Sequence, residues 1–384
     1  MMYLNDTLFP GFEELYRTDR IKLIDISGEI FAFNVQDSIL FKIENLPRKY
    51  FNDVVKTPLP PLKTLILHTT YKCDFSCKHC YINAGKMRQD EMDSKELLRV
   101  IKEFGEMGGL AIDLSGGESL LKDGIYELIL TARNQKLRTN ILTNAGNLNK
   151  TQLNSIAPLI DEITIGLDGL HEVNDRVRGE GSFDKIVKGL EIILEEGIPP
   201  SFVTALNCYN ISQLIYMPKF MARYGTKNWS LVMSRPTGRF TDKEEDIIDA
   251  YKEWEKEKKN GLLKRLRDET KVNGISVVLD HILVPGAKRR VEETKKDFVH
   301  EMYNRGRACW DNTITIMPNG DVKCCLFFNG QIYDNVKGKT LIDIYTSKKR
   351  KDILETFKRY PIDKCPLLEK VNLQQFEDRI KGVE

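Results

Sequence analysis

"LKTLILHTTYKCDFSCKHCY", residues 62–81, is the stretch that decides the fold. Its first half is a short β-rich run, and its second half puts Cys73, Cys77 and Cys80 on the loop that follows. The same β-rich character returns in "LAIDLS" (110–115), "TNILTN" (139–144), "EITIGLD" (162–168), "SFVTALN" (201–207) and "NWSLVMS" (228–234). Longer segments with helical periodicity lie between them, such as "SKELLRVIKEFGEMG" (94–108) and "SFDKIVKGLEIILEEG" (182–197). Strand followed by helix, six times over, predicts an α/β fold: a parallel sheet of βα units, most simply an open or partial barrel. Ligands of such folds collect at the carboxyl ends of the strands. The three-cysteine loop directly follows the first strand, so it belongs at that mouth.

The rest of the chain narrows the classes of function. It has 384 residues, 41% hydrophobic and 30% charged, with a formal charge of +2. That length allows two or three domains with a buried core. The near-neutral balance gives no reason to expect nucleic acid or an anionic membrane as a partner. The opening "MMYLNDTLFPGFEEL" lacks a basic segment followed by an apolar run, and no apolar stretch approaches the roughly 20 residues of a membrane span. The expectation is a cytoplasmic protein, where thiols stay reduced and clustered cysteines bind metal or do chemistry.

Four regions stand apart. Residues 1–61 contain "IKLIDISGEIFAFNVQDSILFKIE", which reads as two or three short strands with turns at Ser27-Gly28 and Gln36-Asp37, and end in a stiff linker at Pro58, Pro60 and Pro61. Residues 62–240 hold the βα units. Residues 241–304 read as a helical bridge, with Ile247, Ile248, Tyr251, Trp254, Leu262 and Leu266 on one face of an amphipathic helix bent at Gly261. Residues 305–384 form a small module in which the cysteines return.

Three thiolates on one loop are an odd number. A structural zinc site wants four ligands, and His79 could join only if its ring turned inward between two bound cysteines. Iron–sulfur cubes are normally held by four thiolates. Three would leave one iron open, and an open metal position is what catalysis needs.

The spacing Cys-x3-Cys-x2-Cys, followed by Tyr81, resembles the signature of the radical S-adenosylmethionine (SAM) enzymes. Further segments match in order: "SGGES" (115–119), "LTNAG" (142–146), "IGLDG" (165–169), "NDRVRGEGSFDKIVKGL" (174–190) and "SRPTGR" (234–239). The resemblance covers about residues 62–240. It implies a partial (β/α)6 barrel with a 4Fe–4S cluster on Cys73, Cys77 and Cys80 whose open iron binds SAM. It further implies that the Gly116-Gly117-Glu118 turn meets the SAM amino group, glycine letting backbone approach a ligand closely. Ser119 stands where the family more often has proline. Asn144 and Asp168 would line the SAM sugar, and Arg178 would meet the SAM carboxylate, which suits guanidinium geometry.

"CWDNTITIMPNGDVKCC" (309–325) reads as a hairpin turning at Asn319-Gly320. With "GQIYDNVKGKTLIDIYTSKKR" (330–350) it resembles the SPASM/twitch extension, which holds auxiliary iron–sulfur clusters. Only Cys309, Cys324, Cys325 and Cys365 are available there, enough for one auxiliary 4Fe–4S cluster and not for two. After "DKCP" the family usually repeats a cysteine where this chain has Leu368. Cys325 is then the fourth ligand, or a free thiol that returns a hydrogen atom to a substrate radical, or an ordinary buried cysteine; if it is no ligand, the cluster keeps an open iron. Cys208 reads as core.

Auxiliary clusters of this kind occur in enzymes that modify ribosomally made peptides, and in dehydrogenases and haem-pathway enzymes. The first is expected here, by crosslinking or epimerisation, with a precursor peptide as substrate and an electron donor such as flavodoxin or ferredoxin. The second remains the alternative, and a non-catalytic iron–sulfur or zinc protein a remote third. The strands of residues 1–61 resemble the start of a leader-peptide module that works by strand addition, shortened here; a cap on the barrel is the competing reading.

Overall fold

The computed structural model describes residues 16–17, 20–26, 29–35, 39–43, 46, 48–56, 64–235, 237–240, 244–279, 313–323, 325–327 and 332–358. Four strands open the chain: β1 (Ile21–Ile26), β2 (Glu29–Asn34), β3 (Ile39–Ile43) and β4 (Val54–Lys56), in the sheet order β3-β2-β1-β4. The proline linker lies outside the described residues.

The six β-rich runs become β5 (Thr64–His68), β6 (Ala111–Ser115), β7 (Arg138–Thr143), β8 (Glu162–Gly166), β9 (Ser201–Leu206) and β10 (Asn228–Met233). They pair in parallel in chain order. The intervening helices bury an apolar stripe on the sheet. In Ser94–Glu106 that stripe is Leu97, Val100, Ile101 and Phe104, and the helix starts at a capping box between Asp93 and Glu96. The other strand face lines a polar lumen, where Asn140 donates to Asp113 at 3.0 Å and Thr164 donates to Asn140 at 3.0 Å.

The sheet runs beyond the six strands at both edges. β11 (Ser276–Leu279) pairs in parallel with β10, so the stretch expected to be a helical bridge also supplies a barrel strand. The helix expected to bend at Gly261 is instead two, Glu244–Lys259 and Leu262–Val272, because Gly261 takes a left-handed φ of 81° that ends one and starts the next. Trp254 on the first of them is fully buried. At the other edge β12 (Thr313–Ile316) pairs in parallel with β5 and leads into the antiparallel β13 (Asp321–Lys323) and β14 (Ile332–Asn335). The C-terminal module therefore grows directly out of the barrel sheet.

The N-terminal sheet sits at the end of the barrel away from the mouth. Ile24, Phe31, Phe33 and Val35 pack on Leu110, just before β6. Lys22 reaches from β1 to the carbonyls of Gly105, Gly109 and Gln135 at 2.9, 2.7 and 3.2 Å, where two barrel helices end. Cations are favoured at helix C-termini. Burial, with the charge of Lys136 added, nevertheless pushes the Lys22 ammonium down to about 7. Asp161 before β8 holds Arg20 and accepts from the Thr139 amide at 2.9 Å.

Candidate functional site

The cysteine loop is tied down along its length. The Cys73 amide donates to Gly85 O and the Gly85 amide to Tyr71 O, both at 2.8 Å. The Lys78 amide donates to Val177 O at 2.9 Å, which joins the loop to the helix carrying Arg178. Cys73, Cys77 and Cys80 are half-buried free thiols. Burial pushes the Cys73 thiol up to about 12 and the Cys77 thiol up to about 11, with Arg178 and Arg239 pulling the latter back down. Thiols so placed ionise when a metal takes the place of the proton.

The "SGGES" turn packs on this loop. The Gly117 amide donates to Thr70 O at 2.7 Å and the Glu118 amide to Lys72 O at 2.8 Å. A Cβ on Gly117 would lie 2.3 Å from Lys72 O, and one on Gly116 would lie 2.7 Å from Thr70 O. The close approach these glycines permit is thus to the backbone leading into Cys73, a role beyond the ligand contact that the sequence suggested. Glu118 is buried, and burial raises its carboxyl to about 7 although the amides of Asn144 and Leu120 donate to it at 2.7 and 3.1 Å. It fixes the "LTNAG" turn, from which the Asn144 amide side chain reaches Asp74 at 2.8 Å and the Cys73 sulfur at 3.8 Å. Asp74, which also accepts from Asn147 at 2.7 Å, went unnoticed in the sequence because nothing about one loop aspartate marks it.

Asp168 and Arg178 meet beside Cys77. Asp168 is fully buried; its Oδ1 accepts from the Ala205 amide at 2.7 Å. Its Oδ2 lies 2.7 Å from Arg178 Nε and 3.3 Å from His79 Nε2. Gly166 makes this possible, since a Cβ there would fall 2.4 Å from the guanidinium. His79 therefore turns toward Asp168, and the sequence alone gave no sign of that pairing. Asp168 and Arg178 form a buried ion pair, and His79 Nδ1 is buried without a hydrogen-bond partner. The same helix is braced by Asp175, which accepts from the amides of Gly181 and Phe183 at 2.9 and 2.7 Å and caps the helix Ser182–Glu195.

These contacts bring together Cys73, Cys77, Cys80, Gly116, Gly117, Glu118, Asn144, Asp168 and Arg178. Among the described residues no three Cys, His, Asp or Glu side chains converge as ligands of one ion; three half-buried thiols on one loop are the donor type that iron–sulfur clusters take. Cys325 follows β13 as a half-buried cysteine in no disulfide, and two residues on Phe327 packs on Tyr81 with ring centroids 5.3 Å apart. Cys309, Cys324 and Cys365 lie outside the described residues. Cys208 packs against the core, as expected.

Residues 67–217 match the family model of the radical SAM superfamily. The chain carries a radical SAM domain. The family's cofactors are a 4Fe–4S cluster and SAM. Over 181 residues this chain is 29% identical to mycofactocin maturase MftC of Mycolicibacterium smegmatis, covering 46% of each protein. It is 28% identical over 153 residues to Fe-coproporphyrin III synthase of Methanosarcina barkeri, covering 39% of this chain and 38% of that enzyme. The match thus spans less than half the length of these curated relatives. The chain shares its fold with Streptococcus suis SuiB bound to precursor peptide SuiA, at 20% identity and a TM-score of 0.61, over 75% of this chain and 65% of that one. No helix among the described residues is long and apolar enough to cross a membrane.

Proposed function

We propose that the protein is a radical SAM enzyme that modifies a ribosomally made peptide, by forming a crosslink or epimerising a residue. The observation that carries the radical SAM reading is a three-cysteine loop at the barrel mouth with Glu118, Asn144 and the buried Asp168–Arg178 pair gathered beside it. When bound, the cluster and SAM supply one-electron cleavage of the sulfonium, giving methionine and a 5′-deoxyadenosyl radical that removes a hydrogen atom from the substrate. Cys73, Cys77 and Cys80 would hold the cluster. Arg178, held beside Asp168 over Gly166, would bind the SAM carboxylate through its guanidinium. The Gly116–Glu118 turn would face the amino group, and Asn144 and Asp168 would line the sugar. Burial of these groups keeps water from the reacting centre.

The peptide substrate is supported by mycofactocin maturase and by the sporulation killing factor maturation protein SkfB of Bacillus subtilis, 25% identical over 178 residues. A haem-pathway substrate is the second reading, favoured by the likeness to Fe-coproporphyrin III synthase. The C-terminal cysteines Cys309, Cys324 and Cys365 would hold an auxiliary 4Fe–4S cluster, with Cys325 as fourth ligand or as hydrogen donor to a substrate radical. A flavodoxin or ferredoxin would supply electrons. Anaerobic incubation of the reconstituted protein with SAM, reductant and a candidate precursor peptide tests the substrate. Loss of two hydrogens means dehydrogenation or a crosslink, and deuterium uptake from solvent at unchanged mass in ordinary water means epimerisation. Turnover of a porphyrin and of no peptide would favour the second reading.

A further inference from the structure

After β10 the chain turns back across the cysteine loop. The Gly238 backbone is left-handed, with φ at 62°, and a Cβ there would lie 2.2 Å from Cys80 O and 2.6 Å from both the carbonyl carbon and oxygen of Tyr81. Every one of those atoms is backbone, so no side chain fits. From that hinge the Arg239 amide donates to Cys80 O at 3.0 Å, and Arg239 Nε donates to Cys77 O at 2.8 Å. The same guanidinium donates from Nη1 to Ala84 O, and the Thr237 hydroxyl donates to Tyr81 O at 3.3 Å. Thr237 and Arg239, on either side of Gly238, thus satisfy the carbonyls of Cys77, Cys80, Tyr81 and Ala84.

Irregular backbone held at a barrel mouth needs partners for its carbonyls. Guanidinium meets that need with several donors in a rigid fork and a charge that is never lost. Lysine could supply the charge and not the fork.

Given a cluster on the cysteine loop, we propose that Arg239, hinged at Gly238, is a positioning residue for it: its fork fixes the backbone at Cys77 and Ala84, its amide holds Cys80, and its charge stabilises the reduced cluster. Reduction adds an electron to the cluster, so a neighbouring cation makes reduction easier, and net charge and hydrogen bonding are what set such potentials. Removing the cation therefore lowers the potential. Removing the fork loosens the site, and supporting groups of this kind are typically worth about 10- to 100-fold in metal affinity.

The test uses the full chain, anaerobically reconstituted, as wild type, Arg239→Gln, Arg239→Lys and Gly238→Ala, each checked by circular dichroism. The EPR signal that changes when SAM is added reports the loop cluster separately from any other. Its midpoint potential and the rate at which a chelator strips its iron are measured. Arg239→Gln should shift the potential to more negative values and lose iron about 10- to 100-fold more readily. Arg239→Lys should restore the potential and only part of the iron retention, and Gly238→Ala should lose iron as Arg239→Gln does. A folded Arg239→Gln variant with wild-type potential, or with wild-type iron retention, overturns the inference alone. A wild type with no SAM-responsive signal overturns the cluster reading and this inference together.

Discussion

At the residue scale the site depends on what the glycines leave empty. Gly166 leaves room for the Arg178 guanidinium, and its replacement by alanine would put a methyl group within 2.4 Å of it. Gly166→Ala should weaken SAM binding about tenfold or more, each factor of ten being about 1.4 kcal/mol, while the iron content holds. Equilibrium binding of SAM to the reconstituted variant checks this, and unchanged affinity would take Arg178 out of the SAM site. Cys325 is settled by a second substitution. As hydrogen donor, Cys325→Ala keeps its clusters and still cleaves SAM but yields diverted or unmodified substrate; as ligand, it loses iron. Normal product at a normal rate with intact clusters would leave Cys325 as a buried packing residue.

At the scale of elements, the N-terminal sheet is fastened to the barrel through Lys22 and the ends of two helices. Because the folded state holds the Lys22 pKa down at about 7, the unfolded chain keeps a proton that the folded chain has lost between about pH 7 and pH 10. The contribution of Lys22 to stability therefore rises with pH across that window, by at most about 1.4 kcal/mol per unit. Thermal melts of wild type and Lys22→Met should show the difference between them moving in favour of wild type from pH 7 to pH 9. A constant difference would mean that Lys22 stays charged in the fold. The six strands and the cysteine loop were legible because each strand carries its own β-rich run and each motif sits just past one. β11 was missed because its short run "SVVL" follows a charge-dense helical stretch. The joining of β12 to β5 was not legible, because that pairing links residues far apart in the chain and no local pattern encodes a partner. The hold of Arg239 on the loop was hidden for the same reason, although "SRPTGR" itself was noticed.

At the scale of the whole molecule, the cysteine loop lies at the mouth and the N-terminal sheet at the opposite end, so a peptide held by that sheet would have to run around the barrel to reach the radical site. The C-terminal module is placed differently, joined to the barrel edge beside the loop through β5 and through Phe327 on Tyr81. With one cluster in each place, reconstituted protein should hold about eight irons and the Cys73→Ala/Cys77→Ala/Cys80→Ala variant about four. A wild-type content near four would mean that the C-terminal cysteines bind no cube. The most direct measurement is of 5′-deoxyadenosine released from SAM by anaerobically reduced protein. The reconstituted wild type should produce it, and Cys73→Ala, Cys77→Ala and Cys80→Ala should each produce none. Formation of 5′-deoxyadenosine by any one of these variants, or its absence from an iron-replete wild type, would contradict a radical SAM cluster on this loop.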